Sequence, residues 1–170
     1  EADHLADYTD LDGARVALDI PYRPTLFLNE SPVMNAMTLG LEEPVIVVQS
    51  ALLDQMDDAE VQAVMAHELG HLHADHVLYK TMARLLVFLG QMRSLTIRAL
   101  SLPIQLALAK WSRCAELTAD RAGLLGSRDL EACLRVQLKF AGGHRPGTTE
   151  RTTLRLGAFV RQARELEDAE

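Results

Sequence analysis

Cysteine is nearly absent from this 170-residue chain: Cys114 and Cys133 are the only two, and both fall in helical patterns. That speaks against a disulfide framework, and the pair reads as reduced, buried thiols. Basic residues are scarce at first: residues 1–76 hold 15 acids against two bases, Arg15 and Arg23, whereas 77–170 hold 15 bases against 9 acids. The net charge of −7 thus hides two parts that complement each other. No short window is strongly basic, and the later arginines are scattered among apolar residues, which argues against a nucleic-acid partner. A charge-free apolar run of the roughly 18–20 residues that a membrane span requires is missing too. Lys80, Arg84, Arg93 and Arg98 interrupt the apolar 77–109 segment. Repeats, low-complexity tracts and a signal-peptide pattern are also lacking. With Glu1 where a methionine would stand, the chain reads as an excised or trimmed piece of a longer protein.

The length predicts one domain, residues 1–170, with a sheet and central helix over about 19–76 and a helical part over about 77–170. Residues 1–18 read as a helix with Leu5, Leu11, Val16 and Leu18 available to pack, ended by Pro21 and Pro24. Three β-prone runs follow, at Thr25–Leu28, Val33–Thr38 and Val45–Val48. Ser50 is placed to cap a short helix through Met56, and Asp57 with Glu60 three residues later has the form of a capping box. The apolar helical pattern of 77–109 calls for cover by the core, a second subunit or a membrane surface, and Pro103 should break or kink it. Trp111–Leu125 reads as a further helix ended by Gly126, with Ser127 capping another through about Phe140. A last helix is expected over about 148–166.

The helix opened by that capping box carries His67-Glu68-Leu69-Gly70-His71, an H-E-x-x-H pattern. At i and i+4 the two histidines lie about 40° apart on one helical face, so both imidazoles reach a single metal ion. Glu68 is rotated to the side, where it touches a water on the metal without binding the ion itself. Such a layout suits a zinc hydrolase, although the motif also occurs fortuitously on ordinary amphipathic helices. Gly70 lets another element approach this helix closely.

A third ligand is needed. In one known extension, Gly and His stand three and six residues after the second histidine, but Ala74 and Val77 occupy those positions here. His73 lies about 200° round the helix from His71, and His76 is poorly placed. The other option is Glu116 on a later helix, with Asp120 one turn on accepting the second ring N–H of a ligand histidine and Arg113 balancing the carboxylates. Read alone, that triplet is a solvated charged face.

Taken together, His67-Glu68-Leu69-Gly70-His71 and Glu116-Leu117-Thr118-Ala119-Asp120 resemble the H-E-x-x-H plus E-x-x-x-D signature of gluzincin metallopeptidases. In detail the chain is similar to the family of the HtpX heat-shock protease, the CAAX prenyl protease and their soluble relatives. Asn35-Ala36-Met37 stands where that family has an Asn-Ala-Phe edge-strand segment, and Ser112-Arg113 matches the Ser-Arg before its glutamate. Pro146 and Arg151 match its C-terminal motif, and the resemblance spans about residues 5–156. Met37 departs from the family's Phe, and Arg145 separates His144 from Pro146 where the family has His and Pro adjacent.

The resemblance implies an α+β fold, mostly helical and zincin-type, with a small N-terminal β-sheet from residues 25–48 packed over the H-E-x-x-H helix. It implies a zinc endopeptidase acting on protein or peptide substrates, with one Zn2+ per chain held by His67, His71 and Glu116 and with Glu68 as general base. Asn35, Ala36 and Met37 would bind substrate along an outer strand, and Arg151 or His144 would face the carbonyl oxygen. The segment between the zinc helices, shorter than in membrane-bound relatives and interrupted by arginines, points to a soluble or peripheral form on the cytoplasmic side. Membrane association through missing flanks or the 77–109 segment, and homo-oligomer formation, stay open. So do two rival readings: a latent or non-catalytic zinc domain, its cleft filled by a missing segment or by the tail beyond Arg161, and a helical interaction module.

Overall fold

A computed structural model describes residues 11–40, 43–74, 82, 95–142, 157, 158, 161 and 165. The first helix, α1, spans Leu11–Ala17 and buries Leu11 and Ala14. It stops before the prolines expected to end it. Asp19 adopts a left-handed φ of 54°, and the Ile20 N–H turns back to the Arg15 carbonyl at 3.0 Å, closing the last turn. Val16, expected to pack, is exposed, while Leu5 lies outside the described residues.

Three strands follow: β1 (Thr25–Asn29), β2 (Ala36–Leu39) and β3 (Val45–Gln49). β3 is central, parallel to β1 and antiparallel to β2. Alternation along β3 buries Ile46 and Val48 fully, and Leu26 and Ala36 of the flanking strands join them in the core. The Gln49 N–H bonds the Asn35 carbonyl at 3.0 Å, so in the antiparallel alternation residues 35, 37 and 39 direct their backbone groups to β3. The backbone groups of Ala36 and Thr38 therefore face the outer edge of the sheet.

A short helix α2 (Ser50–Gln55) leads into α3 (Asp58–His73). Ser50 is not the cap of α2. Gln49 holds that position with no side-chain bond, and the Ser50 hydroxyl instead ties the chain to Ser31, accepting its N–H at 3.1 Å. The capping box of α3 is formed as the sequence implies, with Asp57 Oδ1 accepting the Glu60 N–H and Glu60 Oε2 accepting the Asp57 N–H, each at 2.9 Å. Val61, Val64, Met65, Leu69 and Leu72 are all buried, because α3 is enclosed by α1, β2 and two later helices.

Those helices are α4 (Leu95–Ser127) and α5 (Leu130–Gly142). The sequence suggests a break or kink at Pro103 and a stop at Gly126; α4 is not broken at Pro103 and ends one residue beyond Gly126. A proline inside a helix costs about 3 kcal/mol, which α4 offsets through packing further along. Gly126 is inside the helix for a packing reason: a Cβ there would lie 2.6 Å from Ala66 Cβ. The turn comes at Arg128, with φ 56°, and Asp129 rather than Ser127 caps α5 by accepting the Ala132 N–H at 2.9 Å. Ser127 Oγ bonds back to the Gly123 carbonyl at 2.7 Å.

Leu102, Ile104 and Leu106 at the start of α4 are exposed, so the cover expected for them is not supplied by the described residues. Cys114 is exposed rather than buried, and Cys133 half-buried; both are free thiols. Among the described residues no helix is long and apolar enough to cross a membrane.

The seam between α3 and α4 is built from small residues. Ala63, Ala66 and Gly70 meet Ala115, Ala119, Ala122 and Gly126, all buried. A Cβ on Gly70 would stand 2.5 Å from Ala122 Cβ and 3.1 Å from Ala119 Cα, so only glycine permits the approach. At the N-terminus of α3, Glu60 accepts from Arg135 Nε at 3.1 Å and pairs with Lys139, while Lys139 also donates to the Gln55 carbonyl at 2.8 Å. These bonds anchor α5 beside α3.

Candidate metal centre and active-site cleft

His67 and His71 project one turn apart from α3, and their Nε2 atoms converge to 3.1 Å. Because the small-residue seam brings α4 against α3, Glu116 reaches both rings: its Oε2 lies 3.4 Å from His67 Nε2 and 3.5 Å from His71 Nε2. Three donors held by one tetrahedral ion at about 2.0–2.2 Å stand about 3.3–3.6 Å apart. The observed triangle fits that requirement to within a few tenths of an ångström. Atoms of His67, Glu68 and His71 also fall within 4.8 Å of one another, but that looser group fits less well than the triangle through Glu116.

Asp120, one turn beyond Glu116, places Oδ1 3.1 Å from His67 Nδ1. With the Nδ1 proton directed at the carboxylate, the Nε2 lone pair is left for a cation. Burial by itself lowers the His67 pKa, but hydrogen bonds to Asp120 and Glu116, with the charges of Glu68 and Asp120, outweigh it and raise it to about 9. The ring therefore sits in a field that favours positive charge. Two imidazoles and a carboxylate are a donor set for a divalent transition-metal ion.

The Glu68 side chain is buried beside this triangle, and Thr38 Oγ1 on β2 lies 2.7 Å from its Oε2 and 3.2 Å from its carbonyl oxygen. A cleft of about 810 Å³ opens over the group. Asn35, Ala36, Met37 and Thr38 form one wall, and Leu124, Leu130, Leu134 and Phe140 contribute an apolar opposite side. Burial is graded across the centre: His71 is 2% exposed, whereas the side chains of Glu116 and Asp120 are 47% and 42% exposed towards the cleft.

The structure thus brings together His67, Glu68, His71, Glu116, Asp120 and residues 35–37. Arg113 is exposed on α4 and does not line the cleft, and His73 is exposed on α3. His76, His144, Pro146 and Arg151 lie outside the described residues, as does most of the helix expected over 148–166. Two residues the sequence did not single out join the centre. Thr38 contacts Glu68, and Gln137 Nε2 donates to Asp120 Oδ1 at 3.1 Å. Period-two alternation placed Thr38 on a strand but held no signal for its partner; Gln137 lies on α5, whose docking no local pattern specifies.

A small sheet over a helix bearing H-E-x-x-H, with carboxylates delivered by a second helix, defines the α+β, zincin-like class of metallopeptidases. Within that class the chain belongs to Peptidase family M48, whose description matches residues 10–161. It is 39% identical over 155 residues to plastoglobule-localized metallopeptidase 48, chloroplastic, of Arabidopsis thaliana, a match covering 86% of this chain and 42% of that protein. Protease HtpX homologs of Dictyoglomus thermophilum (33% identical over 79 residues; 45% of this chain, 26% of that protein) and Bacillus subtilis (41% over 51 residues; 29% and 17%) are also similar. The chain therefore spans less than half the length of these relatives. No solved structure was found to match it.

Proposed function

We propose that the protein is a zinc-dependent endopeptidase, its whole length forming one catalytic domain. The observation that supports this best is the triangle of His67 Nε2, His71 Nε2 and Glu116 Oε2, with separations of 3.1, 3.4 and 3.5 Å beside the buried Glu68 carboxylate. His67, His71 and Glu116 would hold the zinc, and Asp120 keeps the proton on His67 Nδ1 so that Nε2 remains a donor. When bound, zinc supplies Lewis acidity towards a carbonyl oxygen and lowers the pKa of a water to about 7.

The chain's own groups perform the rest. The outer edge of β2, where the backbones of Ala36 and Thr38 face away from β3, accepts an extended peptide as an added strand, with Asn35, Ala36 and Met37 along it. A strand laid there crosses the cleft with its backbone extended. Glu68 takes the proton of the attacking water and returns it to the departing amine, which forms as the C–N bond breaks. The carbonyl oxygen, which turns negative as the water adds and before the C–N bond breaks, needs a further donor; Arg151 or His144 is the residue we assign to that role.

Elemental analysis of zinc per chain, on wild type and Glu116→Ala with casein cleavage measured alongside, tests the reading. One zinc per chain with cleavage in wild type, and loss of both in the variant, are expected. Wild type that holds no zinc after reconstitution, or a variant that retains it, would overturn the reading.

A further inference from the structure

We propose that Thr38 is a positioning residue for catalysis: its hydroxyl holds the Glu68 carboxylate in the orientation from which it takes a proton, and links that orientation to the peptide-binding edge of β2. The inference rests on the reading of Glu68 as general base. Glu68 is buried, and a carboxylate on a flexible side chain needs a partner to hold one orientation. Thr38 Oγ1 is that partner at 2.7 Å from Oε2, a short bond in the range of hydroxyls donating to charged acceptors. With Oε2 engaged, Oε1 is the oxygen left to turn towards water.

Threonine suits the task because its branched Cβ restricts χ1, so the strand backbone sets the direction of the hydroxyl. That backbone is the one whose N–H and C=O face outward from β2. A peptide adding to the edge would bond the same residue that holds the base, so substrate and base share one rigid element. Alignment at this level enters the rate of the chemical step more than the affinity for substrate.

The test compares Thr38→Val, which keeps the shape and removes the donor, with Thr38→Ser, which keeps the donor, in zinc-loaded protein cleaving labelled casein. Thr38→Val should lower kcat by about ten- to hundredfold with KM unchanged to within about threefold, and Thr38→Ser should restore kcat to within about threefold of wild type. Zinc titration of the metal-free variants should show affinity unchanged to within about threefold, because the Thr38 hydroxyl bonds Glu68, which is not one of the three ligands. Wild-type kcat in Thr38→Val, a loss confined to KM, or a serine variant as impaired as the valine one would overturn the inference. Should Thr38→Val fail to fold or to hold zinc, Thr38→Ser against Thr38→Ala decides it: serine must exceed alanine in kcat, and equal rates sink the idea. Glu68→Gln, assayed in parallel, separates the two levels. If it still cleaves, the general-base reading fails; if it is inert while Thr38→Val is fully active, only the role of Thr38 fails.

Discussion

Two polar clusters lie along α3 and differ in almost every physical respect. At its N-terminal turn, Glu60 is 1% exposed, serves the capping box, and meets the two cations Arg135 and Lys139 from α5. Two turns on, Glu116 and Asp120 are 47% and 42% exposed, and both meet imidazoles. In the first cluster the buried Glu60 carboxylate is paired with two cations, as a buried charge must be to repay its desolvation. The second opens onto a cleft and holds His67 with a pKa raised to about 9, its carboxylates outweighing burial. A closed cluster serves stability, whereas an open one can exchange what it binds.

That contrast can be broken most forcefully at Glu60. Glu60→Ala removes the buried partner that Arg135 and Lys139 share and half of the capping box, while Arg135 keeps Asp57 and Glu131; a loss of about 2–4 kcal/mol is expected in urea unfolding. The folded fraction should still take up zinc with wild-type affinity, and a large affinity change would show that the clusters are not independent.

Gly70→Ala probes what joins them. The added methyl meets Ala122 Cβ at 2.5 Å and the Ala119 backbone at 3.1 Å, so α3 and α4 must part. Overpacking of this kind costs about 1–3 kcal/mol, and here it should also weaken zinc binding because Glu116 and Asp120 ride on α4. Unchanged zinc affinity would mean that the seam does not position the carboxylates.

The smallest effect sharpens the open cluster alone. In metal-free protein the raised pKa of His67 stabilises the fold fully below its ordinary value of 6.5, and this contribution is lost as pH rises through about 9. Thermal melting after chelation should therefore fall between pH 6 and pH 10 by on the order of 5 °C more in wild type than in Asp120→Asn. Parallel profiles for the two proteins would remove Asp120 as the source of the shift.

Several local signals, with partners within about one turn, were readable. The Asp57 and Glu60 box, the spacing of His67 and His71, and the alternation in β3 all belong to that group, and the structure contains each of them. Punctuation by single residues was misleading. Pro103 and Gly126 carry local costs that packing outweighs over the length of α4, so two expected helices are one. Ser50 and Ser127 had better bonds available than the caps assigned to them, one across the chain to Ser31 and one back to Gly123. Even the stop of α1 came from a left-handed Asp19, with the prolines further on.

The sequence by itself determined the face of one helix: which atoms of His67 and His71 converge, and that Glu68 stands beside them, because a spacing of four residues sets those directions whatever surrounds the helix. It also held, in the alanines and glycines at 63, 66, 70, 115, 119, 122 and 126, the means for two helices to approach closely. The E-x-x-x-D pattern already named Glu116 and Asp120, but only the tertiary structure gives the distances at which they meet His67, the bond from Gln137 to Asp120, and the contact of a threonine on the sheet edge with Glu68. Those contacts join residues 17 to 53 positions apart, and their geometry depends on how whole elements dock, which no local periodicity encodes.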